Sequence, residues 1–183
     1  MSQQDRTVSP RFDIAYSPDE RIVAWLKRIL EGYESCLEFG CGVATYMGDF
    51  IPCNRKAGIE LFEPYVEEAR ATGNTIYHGD ATLYEGSPSA DVGLFIDSLE
   101  HLHKGDALRL IQSCKNHFKR IGIFCPEGHH ENPKVDDNEL NLHLSEWTAD
   151  ELRALGFEVK SYPQYHFTNP PEKQAAMFAV WTR

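Results

Sequence analysis

Residues Cys36 to Thr45 read Cys-Leu-Glu-Phe-Gly-Cys-Gly-Val-Ala-Thr. An acid at Glu38, glycines at Gly40 and Gly42 and a small residue at Ala44 suit a buried strand that turns sharply and leaves room for a ligand. Glycine has no Cβ and tolerates positive φ, so another molecule can approach its backbone closely. A helix expected directly after the turn would present free N–H groups toward that molecule. Further acids close later apolar runs, at Glu60, Asp80 and Asp97. Glu60 stands roughly 20 residues beyond the turn, where an acid can bind both hydroxyls of a ribose. Imidazole titrates near neutral pH and serves as a general base. His101, four residues after Asp97, and His129, His130 and His143 in a later polar stretch are therefore the candidate bases.

Such residues need a scaffold that brings strand ends to one edge. Ser17, Pro18 and Glu20 mark a helix start, and Ile22, Val23, Leu26, Ile29 and Leu30 form an apolar stripe at helical spacing before Gly32. Strands and helices then alternate. Strands are expected at Cys36–Phe39, Ala57–Leu61, Thr75–His78, Val92–Asp97 and Arg120–Cys125. Helices are expected just after the glycine turn and over Pro64–Ala71, Asp106–Phe118 and Thr148–Leu155, the last with a capping box from Thr148 and Glu151. Two final strands, Phe157–His166 and Ala176–Thr182, are separated only by a loop containing Asn169-Pro170-Pro171, so they should form an antiparallel hairpin. This order predicts an α/β three-layer sandwich with a seven-stranded, mostly parallel sheet. Residues 1–183 form one domain in this reading, with 1–12 loose and 127–144 a loop over the active site.

Composition narrows the function. At 183 residues and 42% hydrophobic content the chain can bury a sizeable core. A formal net charge of −10, with no Lys/Arg-rich run, argues against a nucleic-acid substrate. No apolar run reaches membrane-spanning length, and the N-terminus lacks a signal-peptide core, so a cytoplasmic protein without membrane attachment is expected. The 5 cysteines include no Cys-x-x-Cys pair and read as buried free thiols.

The turn alone leaves two ligand classes. A dinucleotide site needs Gly-x-Gly-x-x-Gly, and Thr45 stands where the third glycine belongs. The acid two residues before Gly40, followed by small residues at alternate positions, resembles the first motif of class I S-adenosylmethionine-dependent methyltransferases. Glu60 with the Pro-containing helix start after it resembles their second motif. Gly79-Asp80-Ala81 resembles the segment that contacts adenine, and Asp97-Ser98-Leu99-Glu100-His101-Leu102 resembles the Asp-x-Leu-Glu-His-Leu signature after the fourth strand. His143 to Thr148, with Leu155-Gly156-Phe157, is similar to the closing segment of small bacterial members. The resemblance implies a Rossmann-like fold and S-adenosylmethionine as cofactor. It implies a cofactor site of Glu38, Gly40, Cys41, Gly42, Glu60, Leu61, Asp80, Ala81 and Asp97, with Asp97 at the methionine end.

Methyl transfer asks little of side chains, because the sulfonium is already a good leaving group. A small-molecule acceptor is expected, since no added domain grips a macromolecule. The bases, His101, His129, His130 and His143, matter only if the acceptor must lose a proton. Phe12, Tyr16 and Tyr46 are candidate covers for the cofactor. The histidines and Asp136-Asp137 match no metal-ligand spacing, so no metal is expected. Two other readings stay open: a cofactor-binding subunit that has lost transfer, and a nicotinamide-dependent oxidoreductase. The acceptor and the oligomeric state are not specified by the sequence.

Overall fold

The structure, a computed structural model, describes residues 20–48, 50–130, 137–167 and 173–183. The helix start at Ser17-Pro18, Phe12 and Tyr16, Asp136 and the Asn169-Pro170-Pro171 loop lie outside the described residues.

A seven-stranded sheet carries the domain, in the order β3-β2-β1-β4-β5-β7-β6. Its strands are β1 (Ser35–Phe39), β2 (Arg55–Glu60), β3 (Thr75–His78), β4 (Val92–Ile96), β5 (Arg120–Pro126), β6 (Glu158–Phe167) and β7 (Lys173–Thr182). The pairs among β1 to β5 are parallel, whereas β7 runs antiparallel to both β5 and β6. The seven strands, the parallel sheet and the closing hairpin agree with the sequence expectation. A strand pair joined without a crossover helix must reverse direction, which is why β6 and β7 depart from the parallel pattern.

Helices cover both faces. On one side α1 (Glu20–Leu30) and α2 (Glu63–Ala71) bury Ile22, Leu26, Ile29, Val66 and Ala69 against Cys36, Leu94, Ile96 and Phe124. On the other, α3 (Lys104–His117) and α4 (Ala149–Ala154) bury Leu110, Ile111, Cys114 and Leu152 against Leu37, Phe39, Phe95 and Ile123. Neighbouring residues of one strand thus feed opposite layers, as the period of two requires. Strands buried on both faces read as continuous apolar runs, and β1 and β4 are buried throughout. The capping box at α4 is present: the Thr148 hydroxyl accepts from the Glu151 N–H, and Glu151 accepts from the Thr148 N–H. Among the described residues no helix is long and apolar enough to cross a membrane.

One expected element is missing. Residues 42–48 form turns and not a short helix. Gly42 at φ +54° and Ala44 at φ +62° both lie in the left-handed region, which a right-handed helix cannot include. No helix N-terminus therefore faces the ligand position at this turn. Its N–H groups find other acceptors, described next.

Candidate functional site

The parallel strand order reverses between β1 and β4, and in open α/β sheets ligands settle beyond the carboxyl ends of strands at such a point. The glycine turn leaves β1 there. Its first two N–H groups, of Gly40 and Cys41, both donate to the Ile59 carbonyl, at 2.9 and 3.2 Å, which pins the turn to β2. A Cβ on Gly40 would stand 2.9 Å from the Ser98 Cβ, so this glycine makes room for the end of β4 rather than for a ligand. Gly42 is different: nothing lies within 4 Å of where its Cβ would be, and this is the open face of the turn. Cys41 turns its buried side chain inward over Gly58, so only its backbone faces the site.

Glu60 closes β2 and gathers three backbone N–H groups. Oε2 accepts from Gly42 at 2.9 Å, and Oε1 accepts from Leu61 at 2.9 Å and Phe62 at 2.7 Å. A carboxylate has about four lone-pair positions, so one stays available to a ligand hydroxyl. Glu38, next to the last residue of β1, is buried, and its Oε2 has no hydrogen-bond partner among the described residues. Burial, and then the neighbouring Glu60 charge, push the Glu38 carboxyl up to about 8, which keeps most of it protonated at neutral pH.

The third acid continues the same edge. The Gly79 N–H donates to the Glu60 carbonyl at 3.0 Å, drawing the end of β3 toward β2. Asp80 Oδ1 accepts from the Thr82 N–H at 2.8 Å and from its hydroxyl at 2.7 Å, capping a 3₁₀ turn over Ala81–Leu83. Leu61 and Leu83, following β2 and β3, are 43% and 74% exposed and offer apolar surface at this edge. Asp97 ends β4 with φ +47°, held there by its N–H bond to the Phe124 carbonyl at 2.9 Å. A non-glycine residue in that region stores roughly 1–3 kcal/mol, and such strain clusters at functional positions.

Three of the four candidate histidines converge. The rings of His101 and His143 are 5.0 Å apart between centroids, and those of His143 and His130 are 5.8 Å apart. His101 Nδ1 lies 3.2 Å from the Leu142 carbonyl, and His143 Nδ1 lies 2.6 Å from the His130 carbonyl. The loop is sewn to the end of β4 by the Leu144 and Ser145 N–H groups, which both donate to the Glu100 carbonyl. His129 does not join them. It is mostly exposed and pairs with Glu146 at 2.6 Å.

Glu100 was given no role by sequence reasoning, yet it is 3% exposed and its Oε2 has no partner among the described residues. Its signal in the sequence is its place in the Asp97-to-Leu102 signature, as an acid enclosed by Leu99, His101 and Leu102. Burial, then the Asp97 charge, raise its carboxyl well above the ordinary range. Burial lowers His101, against the opposing pull of the Leu142 carbonyl and Asp97, and lowers His143 to about 4. His143 Nε2 and Glu100 Oε1 stand 4.0 Å apart, beyond hydrogen-bond reach. Glu100, His101 and His143 each offer one ligand atom, and these atoms lie within 4.8 Å of one another. No metal was expected from the sequence spacing, because Glu100 and His143 meet only in the fold.

No protein-family model and no curated protein matches this sequence. Solved structures do match in fold. The methyltransferase domain of a bacterial Hen1 shares 15% identity at a TM-score of 0.61, over 90% of this chain and 96% of that one. An S-adenosylmethionine-dependent methyltransferase from Archaeoglobus fulgidus shares 16% identity at 0.63, over 88% and 94%. DhpI in complex with S-adenosylhomocysteine shares 15% identity at 0.67, over 94% and 90%. This chain has the Rossmann-like fold of the class I S-adenosylmethionine-dependent methyltransferases.

Proposed function

We propose that this chain transfers a methyl group from S-adenosylmethionine to a small-molecule acceptor. One observation carries the reading: Glu60, Asp80 and Asp97 end or follow three successive parallel strands beside the open face of Gly42. Glu60 has one acceptor position left for a ribose hydroxyl. Asp80 and Ala81 would meet the adenine edge, with Leu61 and Leu83 as apolar surface. Asp97 would face the methionine end. The unpaired Glu38 oxygen beneath the turn is a further polar group that a bound ligand can influence. The cofactor, when bound, supplies an activated methyl on a sulfonium.

The chain's own part is alignment and exclusion of water. The loop ending at Leu144 lies beyond β4, tied to Glu100, and brings His143 beside His101. Burial keeps both rings neutral, so each has a nitrogen lone pair to turn toward an acceptor. One structural neighbour is a small RNA methyltransferase. The net charge of −10 here favours a small acceptor over an RNA backbone.

Calorimetry with S-adenosylmethionine, S-adenosylhomocysteine and NADH tests the cofactor, followed by transfer from methyl-labelled cofactor into a metabolite extract. Binding of the first two ligands and a labelled small product support the proposal. Binding of NADH alone would overturn it, and cofactor binding without any labelled product would favour a non-catalytic subunit.

A further inference from the structure

The cluster at the end of β4 goes beyond cofactor binding. Glu100 and His101 both lie in the 3₁₀ turn Leu99–His101 that follows β4, whereas His143 is carried in by the loop, tied down through the Glu100 carbonyl. We infer that Glu100, His101 and His143 form a binding site for one divalent cation, held at the acceptor side of the cofactor edge.

Three observations carry it. The first is distance. Two atoms each about 2.0–2.2 Å from one ion are separated by at most roughly 4.4 Å. His143 Nε2 and Glu100 Oε1 are 4.0 Å apart, too far for a hydrogen bond and right for a shared ion. All three ligand atoms fall within 4.8 Å, so a shift of a few tenths of an ångström seats them around a cation.

The second is the arrangement behind the rings. A backbone carbonyl only accepts, so Leu142 and His130 each require a proton on the histidine Nδ1 they face. The Nε2 lone pair of His143 is left for another partner, facing Glu100 Oε1. Metal-bound histidines are oriented this way, with the second nitrogen donating to a carbonyl or carboxylate. The third is Glu100 Oε2, which is buried with no hydrogen-bond partner among the described residues. An uncompensated buried carboxyl oxygen costs stability unless a ligand satisfies it.

Two imidazoles and one carboxylate suit a borderline cation such as Zn²⁺, Co²⁺ or Mn²⁺ and leave coordination positions open. On the methyl-transfer reading, on which only this role rests, an open position takes the acceptor oxygen. The cation makes that hydroxyl more acidic, and its proton passes to water. The oxygen then forms the new bond to the methyl carbon as the carbon–sulfur bond breaks, and that electron pair stays on sulfur.

The test uses the full chain, stripped with a chelator and titrated with Co²⁺, followed by calorimetry and by visible absorption of the bound ion. One Co²⁺ per chain, displaced by Zn²⁺, is expected. His143→Ala and Glu100→Gln should each weaken binding at least tenfold, and His129→Ala, on the exposed His129–Glu146 pair, should leave it unchanged. Thermal unfolding of each variant establishes that it is folded. No saturable binding, or equal affinity in wild type and in a folded His143→Ala variant, would overturn the site. S-adenosylhomocysteine binding is measured on the same samples. Its absence would sink the methyl-transfer reading while leaving the cation site standing, and the reverse pattern would do the opposite.

Discussion

Glu60 and Glu100 are both buried glutamates at the carboxyl ends of parallel strands, and the chain treats them in opposite ways. Glu60 is answered by its own backbone. The turn after β1 and the start of α2 deliver the Gly42, Leu61 and Phe62 N–H groups to its two oxygens. Glu100 receives nothing on Oε2 among the described residues, and His143 stops 4.0 Å short of Oε1. A satisfied buried carboxylate fixes local geometry, whereas an unsatisfied one marks a place the fold leaves for something else. On the proposed function the cofactor edge is accordingly preformed, and the acceptor side is an incomplete polar cluster.

Glu38 puts the largest strain on this contrast, since it sits beside Glu60 yet shares the unpaired oxygen of Glu100. Its carboxyl is raised to about 8, so the folded state holds a proton that the unfolded chain gives up near its ordinary carboxylate value. The stability it confers is fully present below about pH 4.5 and is lost as pH rises through about 8, in total roughly 5 kcal/mol. Glu38→Gln removes that titration. Urea unfolding from pH 5 to 8.5 should show wild-type stability falling with pH and the variant's curve flatter. Parallel curves would mean that Glu38 has a partner the contrast denies it.

Next in size is Gly40→Val. The position requires φ +65°, and the added side chain meets the Ser98 Cβ at 2.9 Å. Left-handed strain and overpacking together cost about 2–4 kcal/mol. The loss should appear in the urea midpoint without cofactor, because the clash is with β4's end. The turn's ligand face is better probed at Gly42, which opens to free space. A Gly40→Val protein as stable as wild type would show that the turn is not pinned between β2 and Ser98.

The contrast also explains what the sequence revealed. The alternation of apolar runs with capped helices is local, so the seven strands, the hairpin and the α4 capping box were legible. The places of Gly42, Glu60, Asp80 and Asp97 at or just past the ends of their strands were legible too, because each falls at a spacing set by the βα unit. The helix after the turn was misread, since Val43, Ala44 and Thr45 do not disclose that Ala44 sits at φ +62°. Glu100 was passed over because its meaning depends on His143, which only the sheet and the loop's hydrogen bonds to Glu100 bring near. His129 and His130 are adjacent in sequence, but only His130 turns toward His143.

The smallest effects give the sharpest comparison, because the same substitution is made at both glutamates. In Glu60→Gln the amide oxygen can still accept from Leu61 and Phe62, but the amide nitrogen then faces the Gly42 N–H, donor against donor. A buried donor left without an acceptor costs about 1–3 kcal/mol, and the available position for a ribose hydroxyl changes with it. Glu60→Gln should therefore lower both stability and S-adenosylhomocysteine affinity. In Glu100→Gln no Oε2 hydrogen bond exists to be lost, and the side chain keeps its shape. Metal-free stability should move by less than about 1 kcal/mol, as for a near-isosteric change that breaks no bond. Urea unfolding of both variants in chelator decides the matter. Equal losses at the two positions would mean that Glu100 is as fully satisfied as Glu60, and the acceptor side would then be as complete as the cofactor edge.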